Sequence, residues 1–102
     1  MDKKIVSSAR APQAVGPYSQ AIGIHGMLFV SGQLPIDAAT GALLLGGMRE
    51  QTQQVMANLQ AILEEGDQSL SDVVKTTIYL KDMGDFAVVN EAYGSFFSDT
   101  PP

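Results

Sequence analysis

Two short clusters hold the side chains best suited to binding and polarising a small molecule. In Gly16-Pro17-Tyr18-Ser19-Gln20 a phenol and a hydroxyl directly follow a stiff loop. In Ser31-Gly32-Gln33 a hydroxyl and an unobstructed main chain stand at a strand end, where glycine lets a ligand come close. Each cluster also reads as turn chemistry, because Gly, Pro and Ser punctuate loops. The usual acid–base groups are poorer candidates. His25, the single histidine, lies beside Gly26 in a turn pair, so a solvated ring is expected there. Glu64 and Glu65 are neighbours on a helix end and diverge, while Asp82 and Asp85 suit a helix cap. Lys75 and Lys81 are conceivable amine nucleophiles, but no desolvating pocket surrounds Lys75 in the pattern, which favours a rim position. No Ser/His/Asp set, phosphate loop or metal-ligand spacing is present.

Any such groups must be placed by a framework, and its organising stretch is Val73–Phe97. In residues 73–80 β-branched and aromatic side chains dominate, predicting a buried strand with Val74, Thr76, Ile78 and Leu80 on one face. The opposite face, with Lys75 and Thr77, is half polar and should border a rim, a site or a partner. After a turn over residues 81–84 the period changes. Phe86, Val89, Tyr93, Phe96 and Phe97 recur at helical steps, with Asp82 or Asp85 as the cap.

Upstream, residues 4–8 predict a short edge strand, and the Pro- and Gly-containing residues 9–17 an ordered loop. Residues 18–24 and 27–31 form a hairpin about His25-Gly26. Residues 33–47 are a loop turning at Asp37–Gly41, in which Leu43–Leu45 is either a brief strand or packed loop. Met48–Glu65 is an amphipathic helix with Met48, Val55, Met56, Leu59, Ile62 and Leu63 on its apolar stripe. Gly66 fits the left-handed position that follows a helix. The order strand, hairpin, helix, strand, helix implies an α+β domain with both helices on one side of a small sheet.

The 102 residues suffice for one domain of 1–102, and the 45% hydrophobic share is that of a folded globule. At this length the core is modest, so oligomerisation is a natural way to bury more surface. A net charge of −5 with only six Lys and Arg disfavours nucleic acid and anionic membranes. The absence of cysteine excludes disulfides, thiol nucleophiles and thiolate metal sites. Neither a signal-peptide pattern nor an apolar run of spanning length occurs, so a cytoplasmic protein is expected.

The chain resembles the Rid family of reactive-intermediate deaminases, also called YjgF/YER057c/UK114. The matching pieces are GPYSQA (16–21), LFVSGQLPID (28–37), the Thr40-Gly41 turn, EQTQQVMANLQAILEEG (50–66) and VVKTTIYLKDMGDFAVVNEAYGSFF (73–97). They cover nearly the whole chain in the family's order, and the match is nearest the branch that hydrolyses 2-imino acids. The resemblance implies a chorismate-mutase-like α+β fold, a small mixed sheet with two helices on one face, assembled as a homotrimer with sites between subunits. It implies hydrolytic deamination of 2-iminobutanoate and 2-iminopropanoate to 2-oxo acids and ammonia, with no metal or bound cofactor. By resemblance Ser31 and Gly32 are the catalytic positions, and Tyr18 and Asn90 bind substrate.

In the family the second helix is followed by a proline, an arginine that clamps the substrate carboxylate, and two final strands, with a late glutamate that orients or activates the water. The resemblance therefore implies that those strands and both groups lie outside residues 1–102, leaving the domain C-terminally incomplete. Arg10 and Arg49 stand in other motif contexts and are not substitutes. A non-catalytic trimeric small-molecule-binding protein and an inactive fragment, exposed at its sheet edges, are the alternative expectations.

Overall fold

A computed structural model describes residues 2–102. The chain forms β1 (Lys4–Val6), β2 (Ala21–Ile24), β3 (Met27–Val30), α1 (Met48–Glu65) and α2 (Phe86–Gly94), with 3₁₀ turns at Leu70–Asp72 and Met83–Asp85. The three strands make one antiparallel sheet in the order β1-β2-β3. The hairpin closes at His25-Gly26, whose φ angles of 51° and 75° are those of a type I′ turn, the turn that matches strand twist.

Register decides which face is buried. Val6, Ala21 and Val30 stand opposite one another, as do Lys4, Gly23 and Leu28. Val6 and Ala21 form the core with Ala11 and with Ala61 and Ile62 of α1, and Leu28 and Val30 pack against it. Ile62 is 0% exposed. The alternate residues Ile5, Ile22, Ile24, Met27 and Phe29 point to the other face, which no helix covers among the described residues. Among the described residues no helix is long and apolar enough to cross a membrane.

The long helix occupies the span its periodicity predicts, but its end differs. Gly66 is not left-handed, with φ −89°; that conformation falls to Asp67, with φ 59°. Asp67 N donates to Glu64 O at 3.1 Å and Gln68 N to Leu63 O at 2.7 Å, the two bonds of a Schellman end. Position 66 is glycine for a packing reason instead, since a Cβ there would meet Leu28 Cδ2 at 3.0 Å. Asp67→Gly should therefore raise stability by about 0.5–1 kcal/mol, and Gly66→Ala should lower it by about 1 kcal/mol. Urea melts of the two variants check this, and the reverse ordering would contradict it.

Residues 73–80 correct the expectation of a buried strand and of a mixed sheet. They belong to no strand, their main chain makes no sheet bond among the described residues, and Val74 is 84% exposed. β-branched residues favour pairing but need a neighbouring edge, and this segment is instead tied to a helix, through Thr76 Oγ1 and Tyr93 OH at 2.6 Å. The sheet is consequently purely antiparallel. The helical stripe also shortens: α2 ends at Gly94, Phe96 and Phe97 lie beyond it, and Val89 and Ala92 are its buried residues. Asp82 caps the preceding 3₁₀ turn by accepting from Gly84 N at 2.8 Å, and Asp85 makes no capping bond. α2 packs against α1, joined at the surface by Arg49 and Glu91 at 2.8 Å. Leu43 forms a single bridge to Ile36 across the turn at Asp37–Gly41.

Candidate functional site

Antiparallel pairing lays the two polar clusters side by side. Tyr18-Ser19-Gln20 leads into β2 and Ser31-Gly32 leaves β3, so the ladder continues past both strand ends. Ser31 N donates to Gln20 O at 2.9 Å, and Ser31 Oγ donates to Ser19 O at 2.6 Å. With its proton committed, the hydroxyl keeps its lone pairs for an N–H or a water. Tyr18 is 50% exposed; its N donates to Gly16 O at 2.8 Å, and its phenol oxygen accepts from Val15 N at 3.3 Å. That phenol can still donate its own proton outward.

Gly32 supplies the third group. Its N–H makes no hydrogen bond among the described residues. Because neighbouring residues of an antiparallel strand present their main-chain groups to opposite sides, and Ser31 N faces β2, the Gly32 N–H faces away from β2. A Cβ at Gly32 would meet nothing within 4 Å, so no neighbour in the chain demands glycine there. An approaching ligand would use that space. Taken singly, these groups are one hydroxyl acceptor and two donors.

The structure thus sets Ser31 beside Ser19 and Gln20, the two residues that follow Tyr18 in the chain. Asn90 is not joined to them: it is exposed on α2, and no hydrogen bond links it to the cluster. His25 is exposed and borders a separate shallow cavity of about 310 Å³ with Lys4, Gly66 and Gln68. A second cavity, of about 140 Å³, lies between Leu70, Ser71 and Phe96–Thr100. Neither contains Tyr18, Ser31 or Gly32; Tyr18 and Gly32 are exposed and Ser31 is half-buried. Arg10 pairs with Glu64 at 2.9 Å and Arg49 with Glu91, which commits both arginines elsewhere. Among the described residues no group of three or more His, Cys, Asp or Glu is placed to hold a metal ion.

Two buried amides that support the cluster escaped the sequence reading. Gln20 is 4% exposed and Asn58 1% exposed. Asn58 Nδ2 donates from α1 to Leu34 O at 3.1 Å and Ile36 O at 2.9 Å, holding the chain that follows Ser31-Gly32. Its signal was its place on the apolar stripe, three residues after Val55 and four before Ile62.

Comparison with known proteins gives concordant matches. The profile of the family described as Endoribonuclease L-PSP matches residues 8–102. A RutC family protein of Pyrococcus abyssi is 49% identical over 102 residues, 100% of this chain and 80% of its own length. The 2-iminobutanoate/2-iminopropanoate deaminase of Mus musculus is 41% identical over 100 residues, 98% of this chain and 74% of its own. The crystal structure of RidA from the Antarctic bacterium Psychrobacter sp. PAMC 21119 superposes with a TM-score of 0.92 at 40% identity, covering 97% of this chain and 80% of that one.

Proposed function

Since the chain belongs to the Endoribonuclease L-PSP family, also called YjgF/Rid, we propose that it hydrolyses small 2-imino acids such as 2-iminobutanoate and 2-iminopropanoate. Water adds to the electrophilic C=N carbon of the protonated imine, and the carbinolamine expels ammonia to leave a 2-oxo acid. A carbon already this electrophilic needs little beyond positioning and charge stabilisation. Ser31 Oγ accepts from the imine N–H, while the Gly32 N–H and the Tyr18 hydroxyl donate to the substrate carboxylate. The observation that supports this reading is Ser31, whose hydroxyl and N–H are held by Ser19 O and Gln20 O directly after Tyr18, in a chain 41% identical to a protein named as such a deaminase.

The reading includes a homotrimer with sites between copies, to which Asn90 of a neighbouring copy contributes. Its support is the sheet face that α1 leaves uncovered, where Phe29 is 58% exposed beside Ile5 and Met27. Phe29→Asp should lower the mass measured by light scattering from three copies to one. An unchanged mass would refute that face as the contact.

The family description also suggests RNA cleavage. A net charge of −5 opposes binding to a phosphate backbone. Calorimetric titration with 2-oxobutanoate, run beside a turnover assay, separates the remaining readings. Binding with turnover supports the deaminase, binding without turnover marks a non-catalytic binder, and neither removes the proposal.

A further inference from the structure

The geometry points to Gln20 as a positioning residue of this site, acting through the loop that carries Tyr18 and through the two carbonyl groups that hold Ser31. The inference rests on the reading of Tyr18 and Ser31 as substrate-contacting groups. Gln20 spends both ends of its amide inside the protein. Oε1 accepts from Ser8 N at 2.6 Å, and Nε2 points at Ser8 O, Ala11 O and Pro12 O at 3.1, 3.4 and 2.8 Å. No polar atom of the side chain is left for a substrate, so any effect on chemistry must pass through its neighbours.

Those neighbours are the site itself. The main chain of the same residue accepts from Ser31 N, the preceding Ser19 O takes the Ser31 hydroxyl proton, and Tyr18 lies two residues upstream. The side chain thus pins the start of the loop, just past β1, to its end, just before β2. Residues 14–19 have few other ties: Val15 to Tyr18 and Tyr18 to Gly16 are internal to the loop. Rotating residues 19 and 20 would turn the lone pairs of Ser31 and shift Tyr18 together. An apolar side chain of similar volume could fill the space but could not set that orientation, because hydrogen bonds are directional and dispersion contacts are not.

The test compares Gln20→Met, which removes all four contacts at similar length, with Gln20→Glu, which keeps the acceptor and turns an oxygen toward three carbonyls. Each variant is assayed for 2-iminobutanoate hydrolysis per folded protein, and amide hydrogen exchange is followed at Ser31 and at Ile62. The expected result is a fall in kcat of roughly tenfold to a hundredfold with KM changed less than about threefold. Ser31 exchange should speed up by about tenfold or more while Ile62, in the helix, stays protected. A kcat within about twofold of the parent together with unchanged Ser31 protection would overturn the assignment. So would failure of both variants to fold, which would leave Gln20 a purely structural role. If the parent protein shows no turnover, the deaminase reading fails by itself, and the exchange comparison alone decides whether Gln20 fixes Ser31.

Discussion

Ser31→Ala is expected to lower kcat/KM for 2-iminobutanoate by about tenfold to a hundredfold while leaving a folded protein. The Ser31 hydroxyl is held in one orientation by its 2.6 Å bond to Ser19 O, so its lone pairs are aimed before substrate arrives. Alanine removes that acceptor from a site with few other groups, and a weak catalyst for an easy reaction cannot spare one. The structural cost is smaller. Ser31 N still donates to Gln20 O, and losing one half-buried hydroxyl bond costs about 1 kcal/mol. Steady-state kinetics with a thermal melt on the same sample separates the two effects. A kcat/KM within about twofold of the parent would remove Ser31 from the chemistry.

The largest stability effect is expected at Asn58 rather than at an apolar residue. Asn58→Leu keeps much of the volume but strips Leu34 O and Ile36 O of their donor and Gln54 Nε2 of its acceptor. Leaving polar groups unpaired costs about 1–3 kcal/mol each, and water can reach some of them, so the net loss should be about 2–4 kcal/mol. For a domain of this size that lowers Tm by roughly 10–25 °C. The same change loosens the segment after Gly32, so activity should fall even in the cold, where the protein is folded. A Tm within about 3 °C of the parent would show that the clamp contributes nothing to stability.

How much of this was readable without coordinates depended on the kind of signal. The span Met48–Glu65 was legible because the 3.6-residue apolar period is a local property, and so was the His25-Gly26 turn, where two positive φ angles suit a short loop. The placing of Ser31 beside Ser19 and Gln20 follows from that hairpin, since pairing about a two-residue turn brings the residues just outside both strands together. Residues 73–80 were not legible as unpaired, because strand propensity states only a willingness to pair. The burial of Gln20 and Asn58 was hidden too. An amide enters a core only when main-chain groups from distant loops meet it, and that is a tertiary fact. Gly66 yields its expected left-handed role to Asp67 for the same reason, since Leu28 comes from another element.

The proposed role of Tyr18, Ser31 and Gly32 is imine hydrolysis. Its most direct test is the rate at which 2-iminobutanoate, generated in place by a pyridoxal-phosphate-dependent dehydratase, gives 2-oxobutanoate and ammonia. The expected rate is proportional to protein concentration, at least about tenfold above buffer, and about tenfold to a hundredfold lower for Ser31→Ala. Release at the buffer rate from a folded sample would contradict it.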